Sequence, residues 1–129
     1  MAYKSAQVYT GSEWVDLAVS VAGSSQRGIQ TVSGTSYTLA EADAGKEVVF
    51  TSGSAVTVTV PAETTYNFTI GQTFVLFQKG SGAVSVTAAV GVTLRSRSSY
   101  VKISGQYAEV SLIKIAANEW ALTGDLAAS

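Results

Sequence analysis

Residues 55–60, Ala-Val-Thr-Val-Thr-Val, constrain the fold more than any other stretch. Val56, Val58 and Val60 alternate with Ala55, Thr57 and Thr59. A period of two is a half-buried strand and not a helix. Pro61, the only proline, ends the run because it has no N–H to give to a ladder. Residues 83–88, Ala-Val-Ser-Val-Thr-Ala, show the same habit, with Val84 and Val86 facing inward. The pieces 54–60 and 82–88 echo each other, and the echo reads as a shared hairpin solution rather than a repeat.

The other segments follow the same logic. Strands are expected at 7–10, 14–17, 29–32, 46–51, 66–70, 92–96 and 100–104, with an apolar run at 73–79 that suggests a strand buried on both faces. Gly80-Ser81-Gly82 reads as a hairpin turn. Residues 38–45 differ: Thr38 and Glu41 have capping-box spacing and Gly45 is a good stop, so one helical turn is expected there. Residues 107–115 and 119–122 form a final strand pair around Ala116-Ala117-Asn118, since Asn tolerates the left-handed conformation. Trp120 on the return strand is the expected core anchor.

Eight to ten short strands with regularly spaced turns specify an all-β domain. The expected form is an antiparallel β-sandwich or a jelly-roll-like barrel, preceded by a small N-terminal β-hairpin arm. Parallel βα units are excluded because no crossover helices are present. Residues 7–17 make a hairpin too small to stand alone, and 23–28 are a Gly/Ser-rich linker. Residues 1–28 are therefore read as an arm and linker, and 29–129 as the body.

Composition narrows the function. With no His and no Cys, the chain lacks the commonest general base and any thiolate metal site, and no cofactor is expected. A net charge of −1 gives no footprint for nucleic acid or an anionic membrane. Charged residues are only 13% of the chain, about half the usual share, so part of the surface is expected to be covered by partner chains. No apolar run is long enough to span a membrane. Residues 1–7 lack the apolar core of a signal peptide, so assembly in a cytoplasm is expected.

No constellation points to an enzyme. Glu41 and Asp43 read as a capped surface corner, and Glu109 and Lys114, on the long terminal strand, as a cross-strand ion pair of little worth at a surface. The glycosylation triplet at Asn67 lies within an expected strand and reads as chance. A glycosidase needs two carboxylates about 5–9 Å apart in a cleft, and no such pair suggests itself. Arg95, Arg97 and Tyr100 form a possible exposed contact turn for a sugar, phosphate or carboxylate.

Residues 38–51, Thr-Leu-Ala-Glu-Ala-Asp-Ala-Gly-Lys-Glu-Val-Val-Phe-Thr, followed by Ala-Val-Thr-Val-Thr-Val-Pro at 55–61, resemble a small β-domain common in structural proteins of tailed bacteriophages. Ile70-Gly71, 78–86, 91–96, Gly105-Gln-Tyr107 and 118–126 continue the resemblance in order, over about residues 29–126. Residues 9–17, Tyr-Thr-Gly-Ser-Glu-Trp-Val-Asp-Leu, also resemble the Gly-x-Glu-Trp-Val pieces at the start of phage fibre and head-decoration proteins. The resemblance implies a non-enzymatic virion protein that forms homotrimers, with no catalytic residues to carry over. The expectation is a capsid decoration protein, a head fibre or cement, held to the major capsid protein or another virion protein through Tyr9, Trp14, Val15 and Leu17. The alternative is a tail-fibre or tail-tip module that binds a host-surface glycan.

Overall fold

The computed structural model describes residues 27–128 throughout, together with the backbone of two short strands, Gln7–Tyr9 (β1) and Trp14–Asp16 (β2). These two pair antiparallel, Tyr9 opposite Trp14 and Val8 opposite Val15. The hairpin of the expected arm is therefore present, while Leu17 and residues 18–26 lie outside the described residues.

The body is a sandwich of two mixed β-sheets. The chain passes from one sheet to the other and back. Ile29–Val32 (β3) lies in the first sheet and Ser36–Thr38 (β4) in the second. Glu47–Phe50 (β5), Val56–Val60 (β6), Thr73–Gln78 (β7) and Val84–Ala88 (β8) continue the alternation. Thr93–Ser96 (β9) and Lys102–Ile103 (β10) do the same, and Glu109–Ala116 (β11) and Glu119–Gly124 (β12) stay in the first sheet. Leu126–Ala127 (β13) ends in the second. The six-stranded sheet runs β3-β5-β7-β11-β12-β9 and the five-stranded sheet β13-β10-β8-β6-β4.

Strand direction departs from the sequence reading. β3, β5 and β7 are mutually parallel, as are β4, β6 and β8. Parallel neighbours need a long crossover, usually a helix. Here a strand in the opposite sheet supplies it, so the first six strands of the body coil like a short solenoid. Glu47 lies beside Val75 and Val56 beside Val84, a shift of 28 residues in both sheets. The echo between 54–60 and 82–88 is thus a stacked structural neighbour and not a shared hairpin. Antiparallel pairing enters with β11, which lies between β7 and β12, and with β10.

The crossover turns stack as well. Gly80-Ser81-Gly82 links the two sheets rather than closing a hairpin. Gly82 N–H donates to Ser52 O (3.0 Å), and Val56 N–H donates to Ala83 O (2.8 Å). A side chain at Gly82 would run into the Ser54 carbonyl, and one at Gly80 into the carbonyls of Thr51 and Ser52. Close approach of backbone to backbone is what requires glycine at both positions. Gln78 is buried and braces the same turn, with Nε2 donating to Gly80 O and Oε1 accepting from Val84 N–H.

Between the sheets, the even-numbered valines of β6 and β8 meet Phe74, Leu76, Val110 and Leu112. Trp120 is 1% exposed. It packs edge-on against Phe68 (5.7 Å between ring centroids) and tilted against Phe74 (5.7 Å).

Two local readings change. Residues 66–70 are not a strand but part of the loop between β6 and β7, because Phe68 turns inward to complete the aromatic cluster. The helical turn is a 3-10 turn, Glu41–Asp43, and its cap is shifted from Thr38 and Glu41: Asp43 Oδ2 accepts from Ala40 N–H at 2.8 Å. Gly45 follows at φ +74°, as a C-terminal stop should.

Candidate functional site

The buried polar residues Asp43, Gln78 and Lys114 are the first place to look for chemistry, and each is held by structural partners. Asp43 is 1% exposed and accepts hydrogen bonds from Tyr37 Oη at 2.7 and 2.8 Å. Burial, and then Asp43 beside it, push the Tyr37 hydroxyl up to about 12. Asp43 is thus a buried part of the corner rather than a surface one.

Lys114 is 2% exposed. The expected cross-strand ion pair at the surface does not form at Lys114, because the even-numbered residues of β11 face the core. Its ammonium instead donates to Asn67 Oδ1 (2.7 Å) and Phe68 O (2.7 Å) and forms an ion pair with Glu63 Oε2 (2.9 Å). All three donors of the lysine are used. A cavity of about 330 Å³ beside it is lined by Glu63, Asn67 and Thr69 among others, and Glu63 and Asn67 are already bound to Lys114. This lysine fastens the 61–72 loop to β11.

Glu47 and Glu109 lie on the outer face of the six-stranded sheet, on either side of β7, where Glu47 is level with Val75 and Glu109 with Phe77. The hydrogen bond to Glu109 and then partial burial hold the Glu47 carboxyl above its ordinary value. Arg27 lies 3.8 Å away, at ion-pair range. Among the described residues, no group of three or more His, Cys, Asp or Glu side chains is placed to hold a metal ion.

Arg95, Arg97 and Tyr100 do not form one cluster. Arg95 is on β9, level with Ala121, and its Nε donates to Glu119 Oε2 at 2.9 Å. Arg97 and Tyr100 lie beyond β9, where the chain crosses to the second sheet through the 3-10 turn Arg97–Ser99. Tyr100 N–H donates to Arg97 O (3.0 Å) and closes that turn. Ser98 and Ser99 have φ of 55° and 59°. Two successive non-glycine residues in the left-handed region are strained, and such strain concentrates at binding sites.

This turn borders a cavity of about 360 Å³ at the edge of the sandwich, where the outermost strands β9 and β13 leave the two sheets open. Leu122 and Leu126 form its floor, with the exposed Gly124 between them in sequence. Arg97, Ser98, Tyr100 and Thr123 are its exposed rim. Arg97 makes no ion pair among the described residues. Ser96, level with Leu122, has a buried hydroxyl oxygen without a hydrogen-bond partner. The arrangement suits a small ligand with one anionic group. Leu122 and Gly124 were not legible as site residues, because nothing in sequence places β12 beside the turn that follows β9.

Tyr9, Trp14 and Val15 are all on the β1–β2 hairpin. No protein-family model, curated protein sequence or solved structure matches the chain.

Proposed function

We propose that this protein is a non-enzymatic structural component of a tailed-bacteriophage particle, most simply a head decoration protein. It docks through the N-terminal hairpin and trimerises through its body. The observation that carries this reading is where the resembling motifs fall. Residues 38–51, 55–61 and 78–86 are successive strands and crossover turns of one coil, and 91–96 carries the strand that follows it, so these motifs follow the framework of the fold rather than a surface loop. The internal hydrogen bonds of Asp43, Gln78 and Lys114 support a structural rather than a catalytic role.

Removal of residues 1–23 tests the attachment. The shortened chain should keep the β-rich circular dichroism of the full chain and lose binding to capsids. Retained binding would show that the hairpin is not the anchor. Sedimentation of the full chain as a monomer at all concentrations would remove the trimer.

A second reading is favoured by the cavity beside Arg97 and Tyr100. In that reading the chain is a tail-fibre or tail-tip module, and the cavity holds part of a host-surface glycan.

A further inference from the structure

We propose that the cavity at the open edge of the sandwich is a site for an acidic saccharide, a sugar ring that carries a carboxylate. This rests on the second reading above and names the ligand class it requires. The carboxylate meets the Arg97 guanidinium, and the less polar face of the ring lies against Tyr100 and Leu126.

Size is the first argument. About 360 Å³ is within the range of small-molecule sites and has room for a monosaccharide. Charge is the second. Among the described residues, Arg97 is the only charged one lining the cavity and has no ion-pair partner, whereas nearby Arg95 is neutralised by Glu119. A guanidinium fork matches a carboxylate in two parallel hydrogen bonds. Asp125 lies between Gly124 and Leu126 in sequence but does not line the cavity.

The walls supply the third argument. Leu122 and Leu126 make an apolar floor, and Tyr100 offers an aromatic side chain at the rim. A simple anion would use Arg97 and leave that floor empty. A neutral hydrocarbon would fill the floor and leave the guanidinium unmatched. A carboxylated sugar uses both, and its hydroxyls find partners in Ser98 and Thr123 at the rim. The turn is also set in advance: the Tyr100 N–H bond to Arg97 O and the left-handed Ser98 and Ser99 fix the backbone at both rim residues, at the ends of one tight loop. Such preorganisation lowers the ordering cost of binding.

The test is titration of the full chain, by calorimetry and amide chemical shifts, with glucuronate and N-acetylneuraminate. Glucose and acetate are the comparators, and a glycan array runs in parallel. At least one acidic sugar should bind about tenfold or more tighter than glucose and acetate, with shifts at residues 97–100 and 122–126. Arg97→Ala should weaken binding by about tenfold or more, and Arg97→Lys by less. Arg95→Ala, on the outer face, should leave it unchanged. Arg97 is exposed, so these variants should fold.

Acetate binding as tightly as the acidic sugars would overturn the saccharide assignment. Glucose or neutral array glycans binding equally well, with Arg97→Ala silent, would overturn the acidic assignment but leave the glycan reading standing. An empty array together with no binding of either acidic sugar at millimolar concentration would overturn both.

Discussion

Glu63 and Asn118, 55 residues apart in sequence, hold each other by reciprocal hydrogen bonds. Glu63 Oε2 accepts from Asn118 N–H at 2.7 Å, and Asn118 Oδ1 accepts from Glu63 N–H at 3.2 Å. Asn118 is free to do this because the turn between β11 and β12 puts it at φ 49°. Lys114 adds an ion pair to the same carboxylate. The loop that carries Phe68 into the core is therefore tied down from one short region of the chain.

That clip makes stability depend on pH. The Lys114 hydrogen bond, and then the Asn118 N–H, hold the Glu63 carboxyl below its ordinary value of 4.5. A depressed folded-state value contributes stability that is present above the unfolded value and is lost as pH falls through the folded one. Thermal midpoints should begin to fall as pH drops below about 4.5 and should fall less steeply in Glu63→Gln. Lys114→Ala at neutral pH should cost about 1–3 kcal/mol in urea unfolding, because it strands Asn67 Oδ1 and the Phe68 carbonyl.

Glu47 and Glu109 predict the opposite trend. The Glu47 value is raised, so its favourable contribution is complete below the unfolded value and is lost as pH rises through the folded one. Glu109→Gln should therefore raise the thermal midpoint at about pH 7. The gain should shrink towards zero in acid, where wild-type Glu47 carries a proton.

The stacked turns give a paired glycine test. Gly82→Ala drives a methyl group into the Ser54 carbonyl and should cost more than about 2 kcal/mol. At Gly53, in the turn beneath, the nearest atom to an added Cβ is Ser81 Oγ at 3.7 Å. Gly53→Ala should be neutral or stabilising by up to about 1 kcal/mol. Chemical denaturation of both variants checks this, and equal effects would contradict the stacking.

Trp120→Ala should cost about 3–5 kcal/mol, since it empties the space between Phe68 and Phe74. An unchanged unfolding midpoint would mean that these rings do not share a core.

The all-β class, the inward valines of β6 and β8, and the final strand pair around Asn118 could be read from period and turn chemistry. Strand direction could not, because Val56-Thr57-Val58 alternates identically in parallel and antiparallel sheets. The signal that encodes direction is the echo of 54–60 in 82–88, and it is short enough to read as coincidence. β4 and β13 are too brief to carry a period of their own. Residues 66–70 alternate like a strand, yet Phe68 and the Lys114 contacts to Asn67 and the Phe68 carbonyl outweigh that preference. Of the candidate site, Arg97 and Tyr100 were visible because a charge and an aromatic flank a Ser-rich turn. The floor was not, because Leu122 and Leu126 approach that turn only after the chain has crossed between sheets. Arg95 looked equivalent to Arg97 in sequence, and pairing of β9 with β12 is what gives it to Glu119.

Membership of a phage particle is the property from which the proposed docking and trimer both follow. Antibody-gold labelling of purified virions, viewed by electron microscopy, tests that directly. Label spread over the whole head is the predicted result and means many copies on the capsid. Label confined to the tail would instead favour the glycan-binding reading, and particles with no label at all would contradict the proposal.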